Sequence, residues 1–128
     1  VTIAGKMSYE ALSASGIYGA ADVFVTTSTT ETGPLTVLEA ASCGTPTVCL
    51  KAKGTSDIVV DGVNGFLFDE GDKQAFADRV IKLISNKKLL SSMRKKTKKM
   101  IAKHSQKVVM DEWEALYRSM IAKNRKRK

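Results

Sequence analysis

The stretch Thr30–Val48, TETGPLTVLEAASCGTPTV, constrains the fold more than any other part of the chain, because it marks both ends of a helix and the strand that follows. Pro34 suits the first helical position, where its missing N–H costs nothing and its φ is already helical. Gly44 suits the residue just past the helix end, where the backbone turns left-handed. Thr45-Pro46 blocks continuation, and Thr47–Leu50 reads as a buried strand. The helix start leaves backbone N–H groups without partners and carries partial positive charge, so it is a ready site for phosphate. Two carboxylates bracket that start. Glu31 lies before it and Glu39 lies inside the helix, roughly 7–8 Å along the axis from Pro34 at 1.5 Å per residue. Glu39 shares a face with Leu35 and Leu38, the face a helix normally buries. A carboxylate there needs partners, and ligand hydroxyls would serve. The arrangement suits a ligand with hydroxyls at both ends and phosphates between, as in a nucleotide sugar. Either glutamate alone reads better as a solvated surface acid.

The flanking sequence predicts an α/β domain with a parallel sheet. Val1–Ala4 reads as a short strand ending at Gly5, and Ser8 as the cap of a helix from Tyr9 to about Ala20. Val23–Thr26 reads as a compact strand and Thr27–Thr32 as a polar loop leaving its carboxyl end. Thr55–Val60 is expected to be a short helix, and Phe66–Phe68 the last strand after an Asn64-Gly65 turn. This alternation is the βαβ rhythm of a parallel sheet, whose ligands lie beyond the carboxyl ends of the strands. Asp72–Ile84 is amphipathic, with Asp72 as its cap. Leu89–His104 is a basic amphipathic helix. Ser105 caps a last helix whose Val108, Val109, Trp113, Leu116, Tyr117 and Met120 form an apolar stripe, read as core. Asn124–Lys128 is expected to be a disordered polybasic tail.

Charge is unevenly placed along the 128 residues. Residues 1–86 hold 6 Lys/Arg against 10 Asp/Glu, a net −4, whereas residues 87–128 hold 15 against 3, a net +12. The basic third is read either as solvated helix faces or as a surface for anionic lipid or nucleic acid. Cys43 and Cys49 read as small buried thiols. No metal-ligand spacing surrounds them, and His104 is the sole histidine. Neither a metal nor any other cofactor is expected. No run is long enough to span a bilayer, no leader is visible, and Val1 reads as an interior point of a longer chain.

The central stretch resembles the E-x7-E segment of the retaining GT-B glycosyltransferases of family 4. The likeness extends through Leu38-Glu39-Ala40-Ala41 and Cys43-Gly44-Thr45-Pro46. Lys53–Val59 is similar to the family's G-G-x-x-E-I-V, Asp61–Phe68 to D-G-x-N-G-x-L-x, and Ala21–Ser28 to A-D-V-F-V-x-P-S. The resemblance is strong over residues 1–85 and looser beyond. It implies a partial Rossmann-like lobe over residues 1–104, the second half of the C-terminal lobe of a GT-B enzyme, with a helix and polybasic tail over 105–128. It also implies a missing N-terminal lobe that holds the acceptor, so the fragment alone would be inactive. By match of position, Glu31 would contact hydroxyls of the transferred sugar and act as the catalytic residue. Glu39 would bond the ribose, and Gly33, Pro34, Leu35 and Thr36 would line the donor site. Gly5-Lys6-Met7 would lie near the base. Two departures stand out. Pro34 replaces a glycine common in the family, so the phosphate grip falls on the Leu35 and Thr36 N–H groups, and Thr27 replaces a common proline.

The donor implied is a nucleoside diphosphate sugar, taken as a UDP-sugar. Among members, Glu31-Thr32, Leu35-Thr36 and Glu39-Ala40 resemble enzymes that glycosylate diacylglycerol, including glucosyl- and sulfoquinovosyl-diacylglycerol synthases. The basic helix agrees with peripheral attachment to an anionic membrane, facing the cytoplasm or an organellar stroma. The alternatives are a nucleic-acid-binding module or a non-catalytic nucleotide-binding α/β domain. The first lacks any RNP-like aromatic pattern or helix-turn-helix signal and leaves the two glutamates unexplained, so no nucleic-acid partner is expected.

Overall fold

The computed structural model of the chain describes residues 1–3 and 5–125. Three short parallel strands, β1 (Phe24–Thr26), β2 (Thr47–Leu50) and β3 (Gly65–Phe68), form one sheet in the order β1-β2-β3. Phe24 pairs with Thr47, and Thr47 with Gly65. Before β1 come α1 (Tyr9–Ser15) and α2 (Ile17–Ala20). α3 (Leu35–Ser42) links β1 to β2, and α4 (Thr55–Ile58) links β2 to β3. After β3 follow α5 (Lys73–Ser85), α6 (Lys87–Ile101), a 3-10 turn at Ala102–His104, and α7 (Gln106–Arg125). The fold is thus α/β with a parallel sheet, as expected.

β2 is buried on both faces, which is why it reads as a continuous apolar run. Alternate side chains part to opposite sides. Val48 and Leu50 join Phe66, Phe68, Leu83 and Met93 in a core under α5 and α6. Cys49 joins Val37, Ile58 and Val59 in a second cluster under α3 and α4. Leu83 is 0% exposed and Met93 1%, and each such side chain contributes roughly 1.5–3 kcal/mol by leaving water. These layers hold the carboxyl edge of the sheet in a fixed frame.

Several expectations are corrected here. Val1 to Ile3 form no strand, and Val1 and Ile3 are exposed; Ala4 lies outside the described residues. The first helix is two. Gly16 breaks it with a left-handed φ of 63°, a conformation glycine adopts without the Cβ clash. Ser8 does cap α1, accepting the Ala11 N–H at 3.2 Å. Cys43 is exposed and only Cys49 is buried. The stripe on α7 is not core: Trp113, Leu116, Tyr117 and Met120 are 49–57% exposed. α7 leaves the sheet after the 3-10 turn, so nothing in the described residues covers these side chains. α7 also continues through Asn124 and Arg125, where a disordered tail was expected, and residues 126–128 lie outside the described range.

Candidate donor site

The site is assembled at the carboxyl edge of the sheet by two loops. The first runs from the end of β1 through Glu31, Thr32, Gly33 and Pro34 into α3. The second runs from the end of β2 through Lys51–Gly54 into α4. Gly54 has φ of 90°, and a Cβ there would collide with the Glu31 carbonyl. Only glycine lets the two loops touch backbone to backbone. The second loop is braced from below by the buried Thr55, whose hydroxyl lies 2.8 Å from the Leu50 carbonyl and receives the Ala52 N–H at 3.2 Å.

Glu31 is partly buried in the first loop, and its carboxylate has no hydrogen-bond or ion-pair partner among the described residues. Gly33 is exposed and Pro34 buried. Pro34 is the cap of α3 and not its first residue, with ψ of 80°; its carbonyl accepts from the Val37 and Leu38 N–H groups. The Leu35 N–H donates to the Gly33 carbonyl at 2.8 Å and is therefore spoken for. The Thr36 N–H has no acceptor among the described residues, so the amide set at the helix start is smaller than expected.

α3 sits with a different face inward from the one expected. Val37, Ala40 and Ala41, at i, i+3 and i+4, are 0–3% exposed and pack on the sheet, while Leu35 is 68% exposed. Two alanines allow the helix to approach closely, which selects this stripe over the bulkier Leu35/Leu38 one. Glu39 therefore lies on the outer side, partly buried, and is not a charge in the core. It does have a partner: the Tyr18 hydroxyl donates to Glu39 Oε2 at 2.9 Å. The two line a concavity of about 190 Å³ together with Tyr9, Leu12, Ser42 and Cys43. The Tyr18 hydroxyl is pushed up to about 12, first by burial and then by its bond to Glu39 and the charge there. Burial raises the Cys49 thiol to about 11. Tyr18 is not among the site residues expected from the sequence. The signal for its role was the need of a partly buried carboxylate for a donor. Gly5, Lys6 and Met7 are exposed ahead of α1. No three His, Cys, Asp or Glu side chains gather as metal ligands among the described residues.

Residues 1–100 match the family model described as "Glycosyl transferases group 1". The chain belongs to that family. Among solved structures, the group 1 chain superposes on a sucrose-phosphate synthase from Thermosynechococcus elongatus with a TM-score of 0.83, at 26% identity, over 95% of this chain and 30% of that one. It superposes on an Anabaena protein in complex with UDP-glucose with a TM-score of 0.71, at 28% identity, over 81% of this chain and 29% of that one. It is 48% identical over 61 residues to a sulfoquinovosyl transferase of Arabidopsis thaliana, covering 45% of this chain and 12% of the relative. The chain therefore spans less than a third of each of these proteins. The parallel α/β architecture of this group 1 member matches the GT-B glycosyltransferase structures.

Proposed function

We propose that this chain carries the donor site of a retaining, family 4 glycosyltransferase that takes a UDP-sugar and passes the sugar to a diacylglycerol-type lipid. The observation that carries the donor reading is the placing of Glu31 and Glu39 on either side of the α3 start, at the carboxyl edge of a parallel sheet. Such a site accepts hydroxyls at both ends and phosphate between. The UDP-glucose bound by the Anabaena relative supports a uridine donor. In this scheme Glu31 touches hydroxyls of the transferred sugar and is the catalytic residue. Glu39 bonds the ribose. Gly33, Pro34, Leu35 and Thr36 line the diphosphate, with the Thr36 N–H as the amide that grips it. Stabilisation of the departing diphosphate is the largest catalytic contribution expected. The sugar nucleotide is a co-substrate, and no further cofactor enters. Residues 1–104 are part of the donor lobe, and 105–128 are an appended helix and polybasic tail. The acceptor is held by a second lobe outside these residues, so the 128 residues alone are inactive. The lipid acceptor is supported by the sulfoquinovosyl transferase similarity and by the net +12 of residues 87–128, which favour work at a membrane facing the cytoplasm or an organellar stroma.

The test is Glu39→Ala in the full-length protein, with UDP affinity by calorimetry and melting temperature by scanning calorimetry. Affinity is expected to fall about tenfold, the order expected for a lost bond to a charged group, with a smaller loss of stability from the Tyr18 hydroxyl left without its acceptor. Unchanged affinity for UDP would remove the ribose role.

A further inference from the structure

The molecule contains a second residue committed to the Glu39 carboxylate, and its surroundings are built to hold it there. Tyr18 stands 21 residues before Glu39, on a different element, and its hydroxyl donates to Oε2 at 2.9 Å. The ring rests edge-on against Phe24 of β1, with centroids 5.8 Å apart. Its backbone carbonyl accepts the hydroxyl of the fully buried Thr45 at 2.5 Å. Thr45 is itself tied to α3, donating its N–H to the Ala40 carbonyl at 2.9 Å. Ring, backbone and hydroxyl are thus fixed by β1, by the strand approach after α3, and by α3 itself.

A carboxylate has two oxygens and about four lone-pair directions. The Tyr18 bond occupies one of them on Oε2. We infer that Tyr18 is a positioning residue for the donor reaction: it fixes the rotation of the Glu39 carboxylate so that Oε1 is presented to ribose hydroxyls. The inference rests on the donor reading above and adds to it a residue that touches no substrate atom itself. The high titration point of Tyr18 agrees with the geometry, since the phenol stays protonated and donating across the neutral range. A floppy carboxylate would lose rotamer freedom on each binding event, and the tyrosine removes that cost in advance.

The test is a double-mutant cycle in the full-length protein, with Tyr18→Phe, Glu39→Ala and the double variant. The probes are UDP and 2′-deoxy-UDP, measured by calorimetry. Tyr18→Phe is expected to weaken UDP binding about 3- to 10-fold and to shrink the preference for UDP over the deoxy nucleotide. In the Glu39→Ala background it should have no further effect, because the group it positions is gone. General loosening of the fold would instead weaken both nucleotides equally and add to Glu39→Ala. That additive result, or an unchanged UDP affinity in Tyr18→Phe while Glu39→Ala weakens it, overturns the positioning role and leaves the donor reading standing. If Glu39→Ala has no effect, or the unsubstituted protein does not bind UDP, the donor reading fails and takes this inference with it.

Discussion

Arg94 of α6 donates to the Ala21 carbonyl at 2.6 Å, across 73 residues of sequence, and the same guanidinium nitrogen lies 3.3 Å from Asp22. The basic helix is thereby fastened to the turn that feeds β1. A second fastening lies one turn on, where the buried Thr97 hydroxyl donates to the Asn64 carbonyl at 3.0 Å. α6 is part of the frame of the domain, and not all of its charge is available to a partner.

Arg94→Ala should therefore destabilise the fold, by about 1–3 kcal/mol, because it strands a partly buried carbonyl and removes a charge-assisted bond. Equilibrium unfolding in denaturant would show it as a lower midpoint with an unchanged slope. Arg94→Lys should recover only part of the loss, since the shorter lysine keeps a charged donor but reaches less far. A midpoint unmoved by Arg94→Ala would mean that the bond contributes nothing.

Glu31→Gln should leave UDP affinity within about twofold of its starting value and cut turnover about tenfold or more, the size expected for a lost bond to a charged group. The Glu31 carboxylate has no partner among the described residues, so the fold should be indifferent. Steady-state kinetics with UDP-glucose, beside calorimetry with UDP, separates the two effects. Equal losses for UDP and for the sugar nucleotide would contradict a contact with the sugar.

Alkaline pH should ionise two neutral groups, the buried Cys49 and the partly buried Tyr18. Tyr18 is raised from 10.0 to about 12 and Cys49 from 9.0 to about 11, each mainly by burial. Both are held in the protonated form by the fold. Their contribution to stability is complete below the lower, unfolded values and is lost as pH rises through the folded ones. The melting temperature should thus fall between pH 9 and 12. Cys49→Ala should flatten the lower part of that slope and Tyr18→Phe the upper part. Identical slopes in all three proteins would show that neither group is linked to folding.

The C-terminal third should bind anionic vesicles. Residues 87–128 carry net +12, and α7 adds an exposed apolar face on which Trp113 and Tyr117 lie 5.7 Å apart. Each basic residue near such a surface adds about 1 kcal/mol, screened over about 8–10 Å at physiological salt. Co-sedimentation of the full-length protein should rise with phosphatidylserine content and fall with added salt. Neutralising Arg125, Lys126, Arg127 and Lys128 should reduce it only in part. Indifference to vesicles at low salt would remove the support for a lipid acceptor and mark these charges as ordinary solvated surface.

The parallel sheet, the strand Thr47–Leu50 and the helix between Pro34 and Gly44 were legible because local signals agree there: a proline start, a glycine stop and an unbroken apolar run. The facing of α3 was not legible. Leu35/Leu38 and Val37/Ala40 have equal spacing, and only the closeness that alanines permit decides between them. The Leu35 N–H was expected at the phosphate, but the turn before the helix draws it to the Gly33 carbonyl. The partner of Glu39 was hidden because Tyr18 is apolar in its ring and polar at one atom, and periodicity sees only the ring. The exposed stripe on α7 shows the converse. A helix pattern reveals that a face wants covering but not whether this chain covers it.

Gly54 and Glu31 touch through their main chains, and this has a consequence for redesign. Segment 27–33 cannot be exchanged as an independent cassette. A transplanted donor loop will keep its shape only if segment 51–54 travels with it, so the unit of grafting in this chain is a pair of loops, and chimeras that respect only sequence continuity will misplace Glu31.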